Sequence, residues 1–231
     1  MPSTMTELYA KYTEIVLGRW DTSKGLLSQT EYEIINNVLM DVSEFMMKNS
    51  LSCISVSEVE DIFLSYIEKR NISIDEDKVL QRMLVRSEVA TVNPKNGTFT
   101  FVHRSFMEYF FAEKLKKSGN ALLDQEIYSI YWSNTYFFYL GLLRDNEKCI
   151  EVINSIEPTN EQYKLSRLFT NGTFYLAAYL TPYHIIQDGV YNTFIEAGKL
   201  YYGIAKSDGN AELKQLPPIA LLCIFTRCLQ L

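Results

Sequence analysis

One of the chain's two histidines, His103, stands where the sequence changes period. Phe99-Thr100-Phe101-Val102 alternates as a strand does, and from Ser105 onward the apolar spacing is helical. A side chain at such a junction lies beside the unpaired N–H groups and partial positive charge of a helix start, where phosphates bind. His103 can therefore donate a charge-assisted hydrogen bond to a phosphate, and a core imidazole satisfied by a backbone carbonyl is the competing use of the residue. Nothing else has a catalytic pattern. The sequence contains no G-x-S-x-G and no His–Cys pairing, and its spacings suit no metal. Catalytic residues and metal ligands are accordingly expected to be none. Glu108, in the first turns of the helix, suits an ion pair with Arg104 better than the role of general base. Phe101, Phe106, Tyr109 and Phe110 read as core residues that lock a hairpin onto its helix. His184, after Pro182-Tyr183, reads as an ordinary surface or interface residue.

Composition narrows the function classes further. The 231 residues suffice for one or two domains with a real core. Twenty-two basic against 28 acidic side chains give a net charge of −6, without the clustered Lys and Arg that nucleic acid requires. Lys114, Lys116 and Lys117 complement the C-terminal end of a helix dipole. Cys53, Cys149, Cys223 and Cys228 form no C-x-x-C pair and read as buried, reduced thiols. The polar, acidic start is not a signal peptide, and the apolar run at 219–225 is far shorter than the roughly 20 residues of a membrane span. The expected setting is cytoplasmic, with no membrane and no nucleic-acid partner. The sequons at Asn71, Asn96 and Asn171 then read as chance matches.

The elements that must position His103 follow from periodicity. Leu8, Tyr12, Ile15, Val16 and Trp20 have helical spacing. Ser28-x-x-Glu31 and Ser57-x-x-Glu60 predict capping boxes for two further helices, the first with Ile34, Ile35, Val38, Leu39, Val42, Phe45 and Met46 inward. Asp75 or Ser73 caps a third, with Val79, Leu80, Met83 and Leu84 inward. Two β-prone runs then flank Asn93-Pro94-Lys95-Asn96-Gly97, which predicts a hairpin. Three helices, a hairpin and a helix is the order of a winged-helix domain. Beyond Lys117, residues 127–143 are apolar all round and predict one buried helix. Helices are also expected over 147–156, 161–169, 174–180 and 190–204, with a short terminal one after Pro217-Pro218. The fold class is thus mainly α: a winged-helix domain followed by an α-helical hairpin domain.

Phe101-x-His103-x-Ser105-Phe106-x-Glu108-Tyr109-Phe110-x-Ala112 resembles the winged-helix motif F-x-H-x-[ST]-F-Q-E-[FY]-x-A-A of NACHT-type STAND NTPases. These are the switch ATPases of NLR immune receptors and of bacterial antiphage proteins. Thr6-Glu7-Leu8-Tyr9 and Leu17-x-Arg19-Trp20-Asp21 resemble the family's helical segment behind the nucleotide-binding core. Leu84-x-Arg86-Ser87 and the stretch from Trp132 to Gly141-Leu142-Leu143 also fit, so the likeness covers roughly residues 5–145. It implies three parts: residues 1–24 as the end of helical domain 1, 25–117 as the winged helix, and 118–231 as a helical domain.

The resemblance implies that His103 touches the β-phosphate of ADP in the closed state of an intact receptor. It also implies regulation through nucleotide state, as in antiviral defence. The departures qualify this. No G-x-x-x-x-G-K-[ST] occurs, so there is no Walker A loop, and no Walker B strand precedes the helices. Met107 and Phe111 replace the motif's glutamine and first alanine. The chain alone is expected to be no enzyme and to hold no cofactor. ADP or ATP would be bound only with a nucleotide-binding core lying before residue 1. That core or other protein domains are the expected partners, with oligomerisation on activation an open alternative. A helical protein-interaction adaptor is the alternative function, and a winged-helix DNA binder is disfavoured because the third helix opens with Asp75-Glu76-Asp77.

Overall fold

The computed structural model describes residues 4–18, 29–86 and 88–205, and they form a mainly helical chain with one small sheet. Two compact units divide it, Met1–Ala121 and Leu122–Leu231. The first contains α1 (Met5–Val16), α2 (Gln29–Lys48), β1 (Ile54–Ser55), α3 (Val56–Glu68), α4 (Glu76–Arg86), β2 (Ala90–Asn93), β3 (Thr98–Phe101) and α5 (Arg104–Ser118).

Local chemistry explains these boundaries. Asp75 caps α4, its Oδ1 accepting from Lys78 N at 3.1 Å. The capping box of α3 is Ser55 with Glu58, two residues earlier than the spacing Ser57-x-x-Glu60 suggests. Ser55 ends β1, so the strand hands its last residue directly to the helix as a cap. Ser28 lies outside the described residues.

The expected hairpin is present, with Val92 opposite Phe99 and Ala90 opposite Phe101. Asn93 and Asn96 fold its loop, their side-chain oxygens accepting from Lys95 N and Thr98 N. Gly97 turns the chain at φ +60°, in the left-handed region that favours glycine. The sheet gains a third strand that periodicity missed, because β1 is only two residues long. It pairs antiparallel with β3, giving the order β1-β3-β2. Phe99 and Phe101 alternate inward with Thr98 and Thr100. The core of the unit is α2 laid against α5, with Ile34, Ile35, Val38, Leu39, Val42, Met46 and Met47 buried. Phe45 is exposed instead of inward.

The lysines of α5 lie near its C-terminal end as expected, and two of them have a further role. Lys114 bridges to Asp41 and Glu44 of α2 at 2.5 and 3.6 Å, and Lys117 bonds Asn37. They therefore tie two helices together as well as lying near a helix end.

The second unit begins with a 3-10 turn at Gln125–Tyr128, followed by α6 (Ser133–Leu143), α7 (Glu147–Ser155), α8 (Glu161–Ala177) and α9 (Tyr183–Ala205). The single helix expected over 127–143 is two pieces. Asp124 caps the 3-10 turn, and the Ser129 hydroxyl accepts from Tyr131 N at 3.2 Å, competing with helical pairing. Conversely, the helices expected over 161–169 and 174–180 are one. Thr170 and Thr173 bond back to Ser166 O and Thr170 O, and Asn171 donates to Thr193 of α9, so a polar run stays helical. Asn171 is buried, which closes its sequon in the folded chain. α9 starts before residue 190, because Pro182 supplies the carbonyl for its first turn. The helix expected after Pro217-Pro218 lies outside the described residues.

Gly189 sets the approach of α9 to its neighbours. A Cβ there would meet the Tyr175 hydroxyl at 2.4 Å and Asn154 Oδ1 at 2.7 Å, and those two atoms hydrogen-bond each other at 2.8 Å. Gly189→Ala is expected to destabilise the chain by about 1–3 kcal/mol through overpacking, read as a lowered urea midpoint.

Candidate functional site

His103 is the N-cap of α5, with extended backbone at φ −139° and ψ 141°. The strand before it is fixed by Val102 N donating to Val89 O, and the helix after it by Phe106 N donating to His103 O. The expectation of a strand-to-helix junction is therefore met in detail. The imidazole Nδ1 accepts from Ser105 N at 3.2 Å and lies 2.5 Å from Ser105 Oγ. Ser105 Oγ is in turn 2.6 Å from the Tyr9 hydroxyl on α1.

A backbone N–H can only donate, so Nδ1 must be unprotonated to serve as the cap. The ring proton is then on Nε2, and Ser105 can donate to Nδ1 while accepting from Tyr9. The result is a relay from Tyr9 through Ser105 to His103 that fixes the tautomer and leaves Nε2–H as the ring's donor. The side chain is exposed, and among the described residues its hydrogen bonds run through Nδ1 to Ser105. This is not a core histidine satisfied by a carbonyl.

The aromatics divide into two groups. Phe101, Tyr109 and Phe110 are buried as expected, with Phe110 6.0 Å from Phe101 and 5.7 Å from Tyr109. Phe106 does something else. It is half-buried between Tyr9 and Tyr12 of α1, at 5.3 and 5.6 Å, so it anchors α1. Glu108 is buried and paired with Arg104 Nε at 2.8 Å, as its spacing implies. Met107 and Phe111, the two departures from the motif, are both buried, where apolar side chains are at ease.

Tyr9 and Ser105 are the residues that sequence reading left without a role. Ser105 was visible as the hydroxyl position of the motif. Tyr9 is 96 residues away, and nothing local links it to the site.

Elsewhere, His184 is exposed, as expected of a surface residue. Cys149 is half-buried and burial pushes its thiol up, but Cys53 is exposed, contrary to the reading of every cysteine as buried. Cys223 and Cys228 lie outside the described residues. Among the described residues no cluster of three His, Cys, Asp or Glu could hold a metal, and no helix is long and apolar enough to cross a membrane. In the second unit an apolar cavity of about 240 Å³ lies between α8 and α9, lined by Tyr175, Leu176, Ile186, Val190 and Phe194.

Comparison with known proteins gives one match. The family model NACHT C-terminal Helical domain 1 matches residues 173–230, from the end of α8 through α9 and beyond. It falls outside residues 5–145, in a region where only general helical character was legible. No curated protein and no solved structure matches the chain.

Proposed function

We propose, from the premise that this chain carries a NACHT-type C-terminal region, that it is the regulatory, nucleotide-state-sensing part of a NACHT-type signalling ATPase. The observation that carries this reading is the exposed His103, capping α5 through Nδ1 and keeping Nε2–H as donor. A β-phosphate of ADP placed there would accept from Nε2 and lie at the positive end of α5. The relay through Ser105 and Tyr9 pre-orients the ring, so little rotamer freedom is lost on binding.

The arrangement of elements supports a winged helix over residues 25–117, with α2, α3 and α4 ahead of the β2–β3 hairpin and β1 completing the sheet. Residues 1–24 are then the end of helical domain 1, and 118–231 the helical domain. The chain by itself hydrolyses no ATP, since the phosphate cradle and magnesium site belong to a nucleotide-binding core upstream of Met1.

The outer face of α1 supports a missing partner. Met5, Leu8 and Ile15, at helical spacing, are between 48 % and 61 % exposed, while Thr6 and Thr13 are buried. A helix with its apolar stripe outward and its hydroxyls inward is inverted for a free surface. The nucleotide-binding core covers that stripe and brings its ADP to the neighbouring His103. Loss of ADP releases the contact and shifts the population towards the signalling arrangement. The setting is cytoplasmic, in a defence pathway of the NLR or antiphage kind.

DNA binding is disfavoured by α4. Its first turn is acidic, and Lys78 and Arg82 both pair with Glu31 of α2, at 3.7 and 2.6 Å. The direct test is the reading frame upstream of Met1. A P-loop encoded in frame, in a protein that purifies with ADP, supports the proposal. A frame without one makes the chain a helical adaptor.

A further inference from the structure

Glu113 of α5 is half-buried, and its carboxyl lies where α1, α2 and α5 meet. Its Oε1 accepts from the Tyr109 hydroxyl at 3.1 Å, and Asn36 of α2 lies beside the same carboxyl. Oε2 is sealed from solvent with no hydrogen-bond partner. The Tyr109 hydroxyl also meets Thr13 of α1.

The groups that face Glu113 can be named element by element. α1 brings the carboxylate of Glu14, α5 brings Lys116 and Tyr109, and α2 brings Asn36, with Tyr32 against Tyr109. The nearby acids Asp41 and Glu44 of α2 are engaged by Lys114, and β3 (Thr98–Phe101) has no titratable side chain. Burial pushes the Glu113 carboxyl up to about 7, against the bond from Tyr109, the neighbouring Asn36 amide and the charge of Lys116, and Glu14 adds to the rise.

We propose that Glu113 is a proton-sensitive latch for α1. Protonated, it closes the polar junction among the three helices. Ionised, it demands water and repels Glu14, and α1 is the element that yields. α1 is only 12 residues long, its inward face offers Thr6 and Thr13, and Tyr9 and Tyr12 hold it through Phe106, Tyr109 and Ser105 of α5. α2, by contrast, buries a full aliphatic stripe. Release of α1 breaks the Tyr9–Ser105 bond, whatever His103 binds.

The direction with pH follows from linkage. The folded carboxyl titrates near 7 against 4.5 when solvated, so α1 docking is strongest below about 4.5. Docking weakens by up to about tenfold per pH unit as pH rises towards 7, then levels off.

The test is hydrogen–deuterium exchange of residues 5–16 in the whole chain, corrected for intrinsic rate, from about pH 5 to about pH 8. The wild type should lose protection in α1 by up to about 70-fold over this range and then plateau. Glu113→Gln should stay protected throughout. Glu14→Gln, which removes the repulsion from α1, should shrink the loss. A decline unchanged in Glu113→Gln and Glu14→Gln overturns the latch, as does a wild-type α1 equally protected at both ends of the range.

Discussion

Phe110→Ala is expected to lower the stability of the first unit by about 3–5 kcal/mol, the range for deleting a fully buried ring. Phe110 is 0 % exposed and touches Phe101 and Tyr109 at 6.0 and 5.7 Å. Phe101 in turn meets Phe99 edge-on at 5.4 Å, and Phe99 is paired with Ile54 on one side and Val92 on the other. The ring therefore packs α5 onto β3, the central strand of the sheet. Because β3 and α5 flank His103, the loss removes support from both sides of the site. Urea unfolding followed by circular dichroism should show the drop. Val102→Ala, at a side chain 54 % exposed, is the control and should change stability by under about 0.5 kcal/mol. Equal midpoints for the two variants contradict this account of the core.

Arg167→Ala should cost the second unit about 2–4 kcal/mol. Arg167 is 6 % exposed, donates from Nη1 to Ile156 O at 2.7 Å, and pairs through Nη2 with Glu196 at 3.4 Å. Ile156 is the C-cap of α7 and Glu196 lies on α9, so one guanidinium on α8 joins three helices. The ion pair is the smaller share, since Glu196 is partly exposed and its carboxylate returns to water when Arg167 is removed. Most of the loss is the carbonyl left without its donor and the space left by the stem. Arg167→Met restores the volume and should recover part of the stability, whereas Glu196→Gln should change little. A Glu196→Gln loss as large as that of Arg167→Ala would reverse this ranking.

Much of this was legible because the relevant signals are local. The hairpin followed from β-prone runs around an Asn-Gly loop, a cap at Asp75 or Ser73 from their place before α4, and the aliphatic face of α2 from its period. The Glu108–Arg104 pair followed from spacing alone. The illegible parts depend on partners distant in sequence. β1 is two residues long, too short for any alternation, and exists because Phe99 and Thr98 offer an open edge. The polar run at 170–173 looked like a break, yet Asn171 is held by Thr193 on another helix. At the site, the motif exposed His103 and Ser105 but gave no sign of Tyr9, whose hydroxyl completes the relay from α1. Nor did it separate Glu113 from an ordinary surface acid, because its shift arises from burial among three helices.

The family match adds the complementary lesson. Residues 101–112 suggested the resemblance through a compact motif, whereas residues 173–230 match a NACHT-type helical domain with no motif conspicuous to the eye. Helical packing domains distribute their identity over many weak positions, whereas a short motif concentrates it in one turn.

The central claim is that His103 is a nucleotide contact. Its most direct measurement is the ADP retained by the intact protein after purification, compared between wild type and His103→Ala. The wild type should keep close to one ADP per chain and the variant should lose most of it. His103→Gln, which still offers a donor, should fall between. Full retention by His103→Ala, with folding unchanged, would contradict the claim.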